Sequence, residues 1–193
     1  MKLLTSIALM LFTVVAYGQD RPLANDENGK LIYYEVQELK SVPKDSLMAR
    51  AEGFLRSAKT LKVSVSKTDS LIQASGKMII NKTALVLSRP SGEVLYRFNA
   101  ETRDGKYRFW LTDFEFIPYQ RDRYGNFVPA TSIGIPLERK PGKLNAAEWA
   151  SYIKAITKEA NILAAKFKDA MANKAITQPP VAKAVPVIST KKW

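Results

Sequence analysis

Hydrophobic and polar positions alternate along Lys30–Glu38, with Ile32, Tyr34 and Val36 on one side and Tyr33, Glu35 and Gln37 on the other. A period of two predicts a strand buried on one face, with the Ile32 set inward. Val42-Pro43 breaks the pattern, and the period changes. Leu47, Ala51, Phe54 and Ala58 recur at spacings of four and three, widened by Met48 and Leu55, which predicts a helix over about 44–58. Ser41 or Val42 leads into it and Pro43 falls in its first turn. Asp45 near its start and Arg56 and Lys59 near its end suit the helix dipole.

Alternation then returns. Leu61, Val63 and Val65 form one run, 67–70 reads as a turn, and Ile72, Ala74, Met78 and Ile80 share the face of a second run, with Gly76 as a candidate bulge. Thr83–Leu87 is a third short run, which Pro90-Ser91-Gly92 closes as a turn. Val94–Thr102 and Tyr107–Ile117 flank Asp104-Gly105, the composition of a tight type I′ hairpin. That turn pairs Ala100 with Phe109 and Phe98 with Leu111 on an apolar face. It pairs Glu101 with Arg108 and Asn99 with Trp110 on the other.

Residues 120–143 lose all period, and a connection of that length reads as a lid or binding loop. Asn145 with Glu148 three residues on has the form of a capping box. Trp149, Ile153, Ile156, Ala160, Leu163, Phe167 and Met171 then mark a helix over about 146–173, roughly 40 Å long. A stripe of that length needs a broad sheet to bury it. From 174 the chain turns to Pro179-Pro180, Pro186 and a basic end, the composition of a flexible tail.

The first eighteen residues stand apart. Lys2 precedes an apolar run of roughly 14 residues, too short to span a bilayer, and Ala16-Tyr17-Gly18 puts small residues before Gln19. That is the layout of a cleaved signal peptide and predicts export to the periplasm or beyond. The expected organisation is signal peptide 1–18, polar leader 19–28, one domain over 29–173 and tail 174–193. Composition narrows the chemistry. The chain has no His and no Cys. That excludes thiol redox chemistry, Ser–His and Cys–His nucleophiles and the usual zinc sites, and no calcium-loop motif is present. We therefore expect no metal, no cofactor and no enzymatic activity. The net charge of +12 suits solubility or attraction to an anionic envelope surface.

Gly29-Lys30-Leu31-Ile32-Tyr33-Tyr34-Glu35-Val36, followed by Lys44-Asp45-Ser46-Leu47 opening a helix, resembles the start of the DUF4468 family, and Asp104-Gly105-Lys106-Tyr107-Arg108-Phe109 resembles that family's hairpin. The resemblance covers about residues 26–172. It implies an exported protein of Bacteroidetes-type bacteria with a TATA-binding-protein-like fold, a curved antiparallel sheet with helices on one side. The family's function is unknown, so the resemblance carries over no functional residues, and the fold label does not imply nucleic-acid binding.

Three groups of residues are candidates. Asp113 and Glu115 fall on one face of a strand about 7 Å apart, the separation of a glycoside-cleaving carboxylate pair, or else emerge at a strand end into solvent. Trp110, Phe114 and Phe116 share the face opposite Leu111 and form an exposed binding stripe, unless the 120–143 segment covers them or a bulge near Thr112 turns Phe114 into the core. Arg121, Arg123, Arg139, Lys140 and Lys143, interleaved with Tyr119, Tyr124 and Phe127, make the long connection basic and aromatic. A signal peptide argues against nucleic acid as partner and for an anionic envelope ligand. We take Trp110, Phe114, Phe116, Arg121, Arg123 and Tyr124 as the expected ligand or partner residues.

The pattern as a whole predicts an α+β domain: an antiparallel sheet of about five or six strands, a short helix after the first strand, and a long C-terminal helix across one face. The predicted apolar face comprises Ile32, Tyr34, Val36, Val63, Ile72, Ile80, Phe98 and Leu111. The expected function is a non-enzymatic binding module of the envelope for an apolar or anionic ligand. The alternatives are a structural or protein-interaction component and, least favoured, a carboxylate-based hydrolase.

Overall fold

The computed structural model describes residues 21–67, 70–84, 87–139 and 146–173, with only the backbone of 63–67, 82–84 and 87–88. The elements in chain order are β1 (Ala24–Asn25), β2 (Leu31–Glu38), α1 (Lys44–Ser57), β3 (Leu61–Lys67), β4 (Leu71–Ala84), β5 (Leu87–Arg103), β6 (Lys106–Arg121), β7 (Phe127–Pro129), β8 (Ile135–Pro136) and α2 (Ala146–Ala172). The strands form one antiparallel sheet in the order β1-β2-β6-β5-β4-β3, and the short β7 and β8 also pair with β6. Signal peptide, tail, the 67–70 turn, the Asn145 cap and the Val63 side chain lie wholly or partly outside the described residues.

Both helices pack on one face of the sheet. Phe167 of α2 sits at the centre of an aromatic cluster, its ring centroid 4.9 Å from Phe109, 5.1 Å from Phe98, 5.2 Å from Phe54 of α1 and 5.7 Å from Tyr107. Edge-to-face contacts of this kind add about 0.5–1.5 kcal/mol each beyond area burial. Tyr152 stacks on Phe116 at 4.4 Å towards the other end of α2. Arg50 of α1, buried, donates to the Met171 carbonyl at 2.6 Å, which suits the negative end of α2.

The β5–β6 hairpin forms in the expected register, with Ala100 opposite Phe109, Phe98 opposite Leu111, Glu101 opposite Arg108 and Asn99 opposite Trp110. Its turn is not type I′, because Gly105 alone has a positive φ, +71°. The tip is shaped by what it meets. Asp104 Oδ1 accepts the Lys44 N–H at 2.8 Å at the start of α1, and Gly105 exchanges backbone bonds with Leu39 and Val42. The α1 N-cap is Pro43, which has no capping side chain of its own, so Asp104 supplies one from across the fold.

Three expectations fail for physical reasons. In β2 the inward residues are Tyr33 and Glu35, at 1% and 3% exposure, whereas Tyr34 and Val36 are exposed. Glu35 tolerates burial because the Tyr33 hydroxyl and Gln37 Nε2 donate to it and Lys168 Nζ lies 3.1 Å away. Inward Tyr33 fills the volume beside Phe109. Thr83–Leu87 and Pro90–Gly92 are not a short strand and a turn, because β4 runs to Ala84 and β5 begins at Leu87. Pro90 sits at a register shift opposite Asn81, where a missing N–H is tolerated. Gly92 lets the Phe116 ring approach, since a Cβ there would lie 2.5 Å from Phe116 Cε2. Gly76, lastly, is not a bulge: it pairs in register with Leu61 and with Tyr96.

The bulge that matters is in β6. Pairing shifts between Leu95 and Arg97 of β5, so that Asp113 and Phe114 together oppose Tyr96. Asp113 adopts φ +54°. The extra residue reverses the alternation, and Phe114 and Phe116 follow Tyr107, Phe109 and Leu111 into the core.

Candidate functional site

A cleft of about 870 Å³ opens beside β4 beyond Gly76, the residue that pairs with Leu61 at the start of β3. β4 continues to Ala84 beyond Gly76, so its edge from Lys77 onward forms one wall. The facing wall is the α2 segment containing Glu159, Ile162, Leu163 and Lys166, and the turn from α1 into β3 closes one end. The floor is apolar: Phe54, Ala58, Met78, Tyr96 and Leu163. Ile79 and Ile162, both exposed, stand at the lips.

Gly76 and Tyr96 define the inner surface. A Cβ on Gly76 would lie 2.4 Å from Tyr96 Cζ and 2.7 Å from Leu61 Cδ2, so only glycine leaves room for this ring. The Tyr96 hydroxyl has no hydrogen-bond partner among the described residues. Burial, assisted by the negative charge of Glu159, pushes its pKa well above the usual tyrosine range, so it stays a donor at physiological pH.

Four lysines rim the cleft: Lys59, Lys62, Lys77 and Lys166. Lys77 is engaged by Glu93 at 3.1 Å. Lys59, Lys62 and Lys166 are exposed and have no acidic partner among the described residues. Only Glu159 and Glu93 among the lining residues are acidic. No cluster of acidic residues that could hold a metal occurs among the described residues.

The six residues expected from sequence do not come together. Trp110 lies half-buried on the sheet face away from the helices, between Tyr34 and Asn99, with the Arg108 guanidinium 5.5 Å from its ring. Phe114 and Phe116 are core residues, removed from that face by the Asp113 bulge. Arg121, Arg123 and Tyr124 occupy the β6–β7 hairpin. There Asp122 accepts the backbone N–H groups of Tyr124 and Asn126, and Arg121 and Arg123 lie over Phe127 and Tyr124 at 5.0 and 5.2 Å. Tyr124 is 76% exposed. The described part of the 120–143 connection lies against the sheet: β7 and β8 pair along β6, and Trp149 Nε1 of α2 donates to the Leu137 carbonyl at 3.2 Å, while Lys140 and Lys143 lie outside the described residues.

Asp113 and Glu115 do not sit on a regular strand face as expected, because the bulge falls at Asp113 itself. Asp113 is paired with Lys30 and lies 3.3 Å from Arg97, Glu115 packs by Gly134, and neither lines the cleft. The cleft residues went unpredicted because α1, β3, β4, β5 and α2 each supply a few of them. Lys166 reads in sequence as part of a solvated helix face. Gly76, on a strand of alternating apolar and polar residues, is the one available signal of a close approach.

Residues 33–117 match the family model described as a domain of unknown function, DUF4468, with TBP-like fold. Over that segment the chain is similar to the DUF4468 family. Two solved structures share its fold. One is a DUF4468 family protein from Bacteroides ovatus ATCC 8483, with TM-score 0.56 and 12% identity over 81% of this chain and 94% of that one. The other is a TBP-like protein from Parabacteroides distasonis ATCC 8503, with TM-score 0.57 and 17% identity over 78% and 97%. No curated protein matches. The DUF4468 match takes in Gly76, Tyr96, Lys59, Lys62 and Lys77 but stops before α2, which contributes Leu163 and Lys166. None of the described helices of this protein is long and apolar enough to cross a membrane.

Proposed function

We propose that this protein is a non-enzymatic binding module of the cell envelope, exported by residues 1–18, that takes the apolar part of a ligand into the cleft between α2 and the β4 edge. The observation that carries the reading is the apolar floor under an opening of about 870 Å³, within the size range of small-molecule sites. Burying an alkyl chain there contributes about 0.8 kcal/mol per methylene.

Native mass spectrometry of the mature protein from its own envelope, set against its denatured mass, tests the reading directly. Extra mass lost on denaturation is the expected result. A fluorescent neutral probe, cis-parinaric acid methyl ester, should bind the purified protein, and Leu163→Trp, which fills the floor, should weaken it. A clean apo mass together with no probe binding refutes the cleft reading. Export is tested by the N-terminal residue of the envelope-fraction protein, expected to be Gln19.

A second reading, a docking component, draws support from the β6–β7 tip. Asp122 holds it in one conformation, and it presents Tyr124 and Arg123 outward. Crosslinking from position 124 in intact cells would favour this reading if it captured one envelope protein reproducibly.

A further inference from the structure

We infer that the cleft selects a single-chain anionic amphiphile, a long-chain carboxylate, with its alkyl chain on the apolar floor and its head among Lys59, Lys62, Lys166 and the Tyr96 hydroxyl. The inference deepens the cleft reading and rests on it. Two independent features point to a negative head. The first is charge: three exposed lysines without acidic partners among the described residues stand at one opening, where they outnumber the single carboxylate of Glu159, and Lys77 adds a fourth positive charge already balanced by Glu93. Lysines set around a low-dielectric surface focus a positive potential into the opening. The second is the hydroxyl of Tyr96, a donor with no partner among the described residues, on a ring that Gly76 alone makes room for. A carboxylate accepts from this hydroxyl and from ammonium groups at once, and such charge-assisted bonds are the stronger kind.

The chemistry also disfavours the other occupants. A second copy of this chain would bring a net charge of +12 against the same lysines. A neutral lipid would fill the floor but leave the Tyr96 donor and the lysines unused. One alkyl chain suffices to cover the apolar floor, so a single-chain ligand is the simplest occupant.

The test uses two probes with the same chain, cis-parinaric acid and its methyl ester, titrated into the mature protein at pH 7.5. The acid should bind at least tenfold more tightly than the ester, and the difference should shrink several-fold between 0.05 and 0.5 M salt. The triple variant Lys59→Gln/Lys62→Gln/Lys166→Gln, at exposed positions, should lose that preference while binding the ester as before. Tyr96→Phe should weaken the acid roughly tenfold and the ester, an uncharged and weaker acceptor, by less. Equal binding of acid and ester, or a preference that survives the triple variant, overturns this inference but leaves the cleft reading standing. Failure of both probes overturns the two together.

Discussion

Two single residues hold backbone and ring where the cleft needs them. Gly76 faces Tyr96 so closely that any side chain must displace the ring or the strand. Gly76→Ala should cost about 1–3 kcal/mol, the usual penalty for overpacking. Tyr96→Leu in the same chain should recover part of it, because the ring is what the new methyl meets. Urea denaturation of the two single variants and the double variant measures that coupling, and strictly additive losses would contradict the contact. Asp113 is the reverse case, a non-glycine residue at φ +54°. Its carboxylate is occupied by Lys30 and Arg97, in exposed pairs of the kind that contribute little to stability. Asp113→Gly and Asp113→Ala both lose those pairs, yet only glycine adopts the left-handed region freely. The Gly variant should therefore be more stable than the Ala variant by about 1 kcal/mol. An Ala variant at least as stable would mean the bulge relaxes.

At the scale of elements, legibility followed the range of the determining contacts. The β5–β6 hairpin was readable because Asp104-Gly105 and the alternation around it are local, and its register followed from them. The span of α2 was readable from an unbroken stripe that ends in Phe167 and Met171. What could not be read depended on partners far along the chain. Glu35 turns inward because Lys168, on α2, comes to meet it. The β6 bulge left only a phase slip between Leu111 and Phe114, which sequence equally presents as an exposed aromatic stripe. The cleft has no sequence signature, since its lining residues run from Phe54 to Lys166. The α1 start belongs to the same class: Pro43 offers no capping side chain, and the cap comes from Asp104 at the hairpin tip. Asp104→Ala should cost about 1 kcal/mol and fray the first turn of α1. Faster amide exchange at Leu47 and Met48 than in the wild type would report it, and unchanged protection would show the cap to be dispensable.

For the whole molecule, charge and composition set the response to pH. Three carboxyls titrate below their ordinary range. Burial would raise Glu35, but hydrogen bonds from Tyr33, Lys168 and Gln37 outweigh it. The Arg108 hydrogen bond, opposed by burial and joined by Arg103, lowers Glu101. Backbone N–H groups of Asn126, Tyr124 and Gly125 overcome desolvation at Asp122. A carboxyl with a depressed folded pKa stabilises the fold above its unfolded pKa, about 4, and that contribution is lost as pH falls through the folded value. Tyr107 and Tyr119 lie at the other end. Burial, with the charge of Glu35 near Tyr107 and that of Glu93 near Tyr119, pushes each up to about 12. A phenol whose folded pKa is raised favours the fold fully below its unfolded pKa, about 10, and loses that support as pH climbs towards 12. Between these limits the chain has no histidine and no cysteine, the side chains whose ordinary pKa values fall there. The unfolding free energy should therefore be level within a few tenths of a kcal/mol from about pH 5.5 to 9, falling below and above. Urea midpoints across that range at constant ionic strength measure it. A transition near pH 6–7 would point away from histidine and cysteine to the α-amino group, a carboxyl raised by burial, or a bound ligand whose own carboxyl titrates there. The plateau should therefore be recorded first on delipidated protein and then with cis-parinaric acid present. A pH-dependent step that appears only with the acid would then belong to the ligand in the cleft.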